Sequence, residues 1–182
     1  MRVSRKTAEK NRETVVRTAS EQFRTYGYDG IGVANLMKAA GLTQGGFYKQ
    51  FKSKDALEIE ATELALEENL ELWSQAMDGA SDPVQVLKDW YLSPQHVSAV
   101  GKGCTYATLG AEATRQGSEM QHVFGTAIEQ QVTALAGKLG DPAETRQVAI
   151  RTMAQMIGTL ILARAVSDAD LQDEILQAGR GA

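Results

Sequence analysis

Residues Gly30–Leu57, GIGVANLMKAAGLTQGGFYKQFKSKDAL, decide how the whole chain is read. Val33, Leu36, Met37 and Ala40 recur at helical spacing and give a short helix one apolar face. Gly41 follows where the chain must turn, because a residue without Cβ reaches left-handed backbone angles at little cost. Thr43 then stands as an N-cap, its hydroxyl expected to cover free N–H groups of a second helix over 44–50. That helix opens with Gln44, Gly45 and Gly46, and each glycine inside a helix is about 0.5–1 kcal/mol worse than alanine. Such an opening fits a backbone that must lie close to something bulky. Phe47 and Phe51 point inward at i, i+4, while Tyr48, Lys49, Gln50 and Lys52 present polar tips outward. A helix-turn-helix asks the same of its recognition helix: small and hydrogen-bonding residues at the N-terminal end, and cations for phosphate.

Charge supports this division of labour. The chain of 182 residues carries a formal net charge of −4, but residues 1–54 hold 11 Lys and Arg against 4 Asp and Glu, whereas residues 55–182 hold 8 against 19. A head of +7 on a body of −11 suggests nucleic-acid binding at one end, and the break falls where the motif ends. Only three prolines and a 43% apolar share fit a mostly helical chain large enough to bury a real core. No consecutive apolar run approaches the 18 residues of a membrane span, and the N-terminus lacks the apolar centre of a signal peptide. The expected location is cytoplasmic. One cysteine excludes an internal disulfide framework, and His96 and His122 are too few and too far apart to suggest a metal site. No cofactor and no catalytic constellation is expected.

The run AAGLTQGGFYKQFKSKDAL (39–57) resembles the DNA-binding signature of TetR-type transcriptional regulators: a glycine turn, a polar N-cap, a small-residue pair, Phe-Tyr, a basic or polar pair, Phe, then Ser-Lys-Asp and an apolar residue. The resemblance covers the N-terminal part of the chain. It implies an all-α protein of about nine to ten helices, with a three-helix DNA-binding domain at 1–53 and a helical effector-binding and dimerisation domain at 54–182. By that resemblance Thr43, Gln44, Gly45, Gly46, Tyr48, Lys49, Lys52 and Lys54 meet a double-stranded operator. The basic stretch Met1–Lys6 adds an arm for phosphates or a minor groove, with a solvated tail as the plain alternative.

Further helices follow from capping signals: Thr7–Tyr26 first, then Ser53 opening a long helix to about Met77, and Asp82-Pro83 opening another that Ser93-Pro94 stops. A short helix is expected over Gln95–Val100, one helix over Cys104–Gln116, one over Ser118–Leu139, one after Asp141-Pro142 to about Val166, and a last over Asp168–Gln177. Apolar stripes on the two longest late helices (Phe124, Ile128, Val132 and Leu135; Val148, Thr152, Met156 and Ala163) fit a monomer core, a partner, or both. GTLILARAV (158–166) is similar to the family's ninth helix, which implies a homodimer closed by a four-helix bundle. A two-fold dimer reads a palindrome whose half-sites lie about one helical turn apart.

The resemblance also implies a ligand cavity in the body. Trp73, Met77, Trp90, Tyr91, Tyr106 and Met120 are its candidate walls, suited to a small hydrophobic or electrophilic effector, with ordinary core packing as the alternative for each. Glu112 and His122 are candidate polar anchors, or surface residues. Cys104 opens a helix near Lys102, where a thiolate is favoured, or else it is a small buried residue behind Gly103. The expected function is a transcriptional regulator, a repressor released from its operator by an effector or by modification of Cys104. A DNA-binding chromosome-organising protein of the same fold, without an effector, is the alternative. An enzyme with Cys104 as nucleophile lacks a recognisable base.

Overall fold

A computed structural model of the chain describes residues 5–181, and among them the only regular elements are helices. Nine α-helices run in the order α1 Arg5–Tyr26, α2 Val33–Ala39, α3 Lys54–Met77, α4 Pro83–Tyr91, α5 Pro94–Ser98, α6 Thr105–Leu109, α7 Ser118–Leu139, α8 Pro142–Ala165 and α9 Ala169–Arg180. Two tighter three-residue-per-turn helices, Gln44–Lys49 and Val100–Lys102, complete the set.

Caps read from the sequence set most boundaries. The Ser53 hydroxyl accepts from Ala56 N–H at 3.1 Å and opens α3. Asp82, Asp141 and Asp168 cap α4, α8 and α9 with their carboxylates, the first two followed by proline at the first helical position. Ser93-Pro94, read as a stop, is also a start: the Ser93 hydroxyl accepts from His96 N–H and opens α5. Arg5 and Lys6, expected in the basic arm, belong to α1, where Arg5 pairs with Glu9 one turn on. Arg2 lies outside the described residues.

The head is built on Phe23, Tyr28, Ile31, Leu36, Met37, Phe47 and Phe51, all buried between α1, α2 and the start of α3. Its core continues without a break through Leu57, Ala61, Leu66 and Trp73 on α3 into the body. A division at residue 53 therefore falls at the cap of a helix that belongs to both parts. On the surface α3 is fastened to α1 by Arg12 with Glu60 and by Arg17 with Glu68. In the body, α7 and α8 pack side by side, α9 lies on α8, and α3 lies on α7.

The apolar residues of α7 and α8 separate into two faces. Phe124, Val132, Leu135, Thr152, Met156 and Ala163 are buried within the protomer, whereas Ile128 and Val148 are exposed. Residues 143–165 of α8 are long and apolar enough to cross a membrane by length and composition alone. Packing explains part of that character, since Ala149, Met153, Met156, Leu160 and Ala163 close the core. Ile150, Ile161 and Leu162 contribute to it from the exposed side.

Candidate nucleic-acid interface and effector region

The turn after α2 forms as the glycine signal requires. Gly41 sits at φ +71, and Leu42 N–H reaches back to the Met37 carbonyl at 2.8 Å. Beyond it the structure corrects the expected α-helix over 44–50: Gln44–Lys49 is a tight three-residue-per-turn helix. Six residues held at one end by buried Phe47, with two glycines in the first turn, do not supply enough consecutive i→i+4 bonds for an α-helix. Thr43 occupies the N-cap position, yet its hydroxyl makes no capping bond. Its carbonyl takes the bond from Gly46 N–H at 3.0 Å, which leaves the hydroxyl at the surface.

This segment carries an exposed row of small, hydrogen-bonding and basic residues. Thr43, Gln44, Gly45, Lys49 and Lys52 are exposed, Gly46 is half-buried, and Tyr48 stands 71% exposed with its ring edge-on to Phe47 at 5.1 Å. Gly45 has no internal reason to be glycine: its φ is not in the left-handed region, and a methyl there would meet no atom of the chain within 4 Å. A methyl on Gly46 would touch only the end of Met37, at 3.7 Å. A recess of about 540 Å³ runs from this row to Ala8 and Asn11 on α1. Those two residues escaped sequence reasoning because only tertiary packing places α1 beside the turn.

Lys54 departs from its expected role on the DNA backbone. Its ammonium pairs with Glu58 at 3.0 Å and donates to the Tyr28 carbonyl, so it is turned into the head–body junction. Glu58 is itself buried, and burial pushes its carboxyl up while Lys54 pulls it back. A cation that satisfies a buried carboxylate is not free to neutralise phosphate.

The expected effector walls are packed rather than arrayed around an open cavity. Trp73, Met77, Tyr91, Cys104, Tyr106 and Met120 are all buried, and Trp73 meets Tyr91 edge-on at 5.2 Å. Trp90 is exposed on its outer face and stacks on His96. A recess of about 50 Å³ touches Trp73, Trp90 and Cys104, too small for a drug-sized molecule. Met120 lies apart, with its sulfur 3.5 Å from the Tyr28 hydroxyl at the junction with the head. Of the candidate anchors, Glu112 accepts from Tyr28 N–H at 3.1 Å, and His122 is exposed in a groove between α3 and α7.

Of the two readings of Cys104, the structure favours the small buried residue over the thiolate. Burial pushes its thiol up, against smaller downward pulls from the Tyr91 hydroxyl, nearby amides and Arg164. The helix that follows is only the five residues of α6, too short to develop the dipole of a long helix. His96 holds this region in one arrangement. Its Nε2 accepts from Cys104 N–H at 3.0 Å, so its Nδ1–H donates to the Tyr91 carbonyl at 2.7 Å, and the ring is the neutral tautomer. Burial pushes its pKa down from the ordinary histidine value. Arg164 of α8 closes the cluster by donating to the His96 carbonyl at 2.8 Å and to the Val97 carbonyl at 3.2 Å.

With this geometry in place, residues 15–61 match the family described as bacterial regulatory proteins, tetR family. The head of the chain is similar to the DNA-binding region of the TetR family. The match covers the second half of α1, α2, the tight helix Gln44–Lys49 and the first two turns of α3. An uncharacterized HTH-type transcriptional regulator of Bacillus subtilis (strain 168), YxaF, is 34% identical over 79 residues, which span 43% of this chain and 41% of that protein. Beyond this region the likeness is one of fold. A TetR transcriptional regulator from Chloroflexus aurantiacus superposes with a TM-score of 0.81 at 20% identity, over 97% of this chain and 95% of the other. The reduced form of Escherichia coli NemR superposes with a TM-score of 0.76 at 19% identity, over 94% and 96%.

Proposed function

We propose that this chain is a TetR-type, DNA-binding transcriptional repressor that works as a homodimer and is released from a palindromic operator by a small hydrophobic effector. The observation that carries the reading is the row Thr43–Lys49, exposed, basic, and opened by a glycine that the fold itself does not require. In a major groove Thr43, Gln44 and Tyr48 reach base edges and phosphates, Gly45 and Gly46 allow close approach, and Lys49 and Lys52 neutralise the backbone.

The dimer reading draws on α8. Ile150, Ala154, Ile161 and Ala165 share the face opposite the buried residues, and Gly158, in mid-helix, likewise has open space where a Cβ would stand. A second copy packed there would cover Ile150, Ile161 and Leu162 and bring two helices close at the small residues. Release by an effector requires the packed body around Trp73, Tyr91 and Tyr106 to open, and a ligand drives that only by binding the opened form more tightly. Burial of Cys104 favours a ligand over thiol modification as the trigger.

The test is selection of bound duplexes from a random DNA pool at fixed, near-physiological salt. Recovery of one palindromic sequence, bound by two chains, supports the proposal. Recovery of nothing above non-specific binding refutes it, and many unrelated sites would favour a chromosome-organising role.

A further inference from the structure

Tyr28 ties together more of the molecule than any other head residue. Its ring is fully buried beside Phe23, at 5.5 Å. Its hydroxyl meets Thr62 Oγ1 of α3 at 2.7 Å and the Met120 sulfur of α7 at 3.5 Å. The Tyr28 carbonyl accepts from Lys54 at the start of α3. Its N–H donates to the Glu112 carboxylate, at 3.1 Å, from the body segment between α6 and α7. That segment is a run of single turns bounded by Gly110 and by Gly117 at φ +90. On the head side the carboxylate rests against Gly27, at φ +76, where any side chain would be strained and its Cβ would lie 2.8 Å from Glu112 Oε1.

We propose that the Glu112–Tyr28 contact is the latch through which the state of the body is imposed on the DNA-binding head, with Glu112 as a positioning residue for α2 and the recognition turn. The proposal rests on the reading of this chain as a DNA-binding regulator, and it adds a route distinct from a tilt of α3. The surface ties Arg12–Glu60 and Arg17–Glu68 are at least partly exposed and hold α1 to α3 weakly, and buried Arg24 holds the end of α1 to the Gly103 carbonyl and Glu68 without touching the loop itself. Glu112 instead grips the backbone of the loop between α1 and α2. Met120, eight residues later, touches the same tyrosine from below, so any displacement of the stretch from Glu112 to Met120 relative to α3 must break a bond at Tyr28. From Tyr28 the chain passes through buried Ile31 directly into α2, the first helix of the DNA-binding turn. Loop and body segment then move together.

Hydrogen exchange on the full chain tests the latch, free and with saturating selected duplex, in wild type, Glu112→Ala and Glu112→Gln. In the free protein Glu112→Ala should speed exchange of residues 24–31 about tenfold, and Glu112→Gln, which keeps an acceptor oxygen, should not. Binding of duplex should slow residues 108–120 in wild type and in Glu112→Gln but not in Glu112→Ala. Thermal unfolding of the three proteins should stay close together, which separates a positioning role from a structural one. The latch is refuted if Glu112→Ala leaves residues 24–31 unchanged in the free protein, if Glu112→Gln behaves as Glu112→Ala, or if duplex slows residues 108–120 equally in all three. If wild type binds no duplex, the regulator reading fails instead, and the free-protein comparison still decides whether the contact holds the loop.

Discussion

Gly45→Ala separates the needs of the fold from the needs of DNA binding, and it should move them in opposite directions. A Cβ at Gly45 meets no atom of the chain within 4 Å, and its backbone is not left-handed. The fold therefore gains the ordinary benefit of replacing a helical glycine, about 0.5 kcal/mol, the lower end because the segment is a short tight helix. For a chain of this size that raises Tm by roughly 1–2 °C. At the DNA surface the same methyl stands between the backbone and a base edge or phosphate, a disruption comparable to one mismatched base pair, about 1–3 kcal/mol or 5- to 150-fold in affinity. No charge is removed, so the slope of log affinity against log salt should not change. Differential scanning calorimetry and fluorescence anisotropy with the selected duplex measure the two effects on one sample. Gly41→Ala is the contrast: at φ +71 it needs the left-handed region, so it should lose about 1 kcal/mol of stability and weaken binding only through the fold. Unchanged affinity for Gly45→Ala with a raised Tm would remove Gly45 from the interface. A lowered Tm would mean that the local packing has been misjudged.

Three further outcomes follow from the site geometry. Lys49→Ala should weaken operator binding and lower the salt slope by about 1, whereas Lys54→Ala should leave the slope unchanged and reduce stability, because Lys54 serves Glu58 and the Tyr28 carbonyl; equal slope changes in anisotropy titrations would contradict this. Cys104, buried with its thiol pushed up, should react with Ellman's reagent at pH 7.5 only at the rate of protein opening, so fast labelling of the native protein would show the thiol to be accessible. His96 has its pKa pushed down in the folded state, so the unfolded chain binds the proton first; stability should fall as pH drops below about 6.5, and His96→Gln should flatten that part of the urea-denaturation profile.

Local signals were legible wherever a residue acts on its own neighbours. Ser53, Asp82 and Asp141 capped the helices they were read to cap, since an N-cap needs only the next three residues. Gly41 was legible because a left-handed turn excludes nearly everything else. The 44–50 helix and the Thr43 cap fail locally, in a short segment opened by two glycines, whereas other misreadings trace to the tertiary surroundings. The stretch Cys104–Gln116 reads as one helix by propensity, yet α6 stops at Leu109 and single turns carry the chain to Gln116, with Glu112 drawn to the Tyr28 amide 84 residues earlier. Lys54 looks like a phosphate contact by charge and position, and only the fold brings a carbonyl and a buried carboxylate within its reach. Cys104 satisfies the rule for a reactive thiol if the helix behind it is long and the solvent is near, and neither condition holds. Tyr48 and Gly45, proposed for recognition, differ from these for a physical reason. Their exposure leaves them no internal partner, so the sequence pattern around them answers to what lies outside the chain, and a misplaced helix boundary does not move them off the surface.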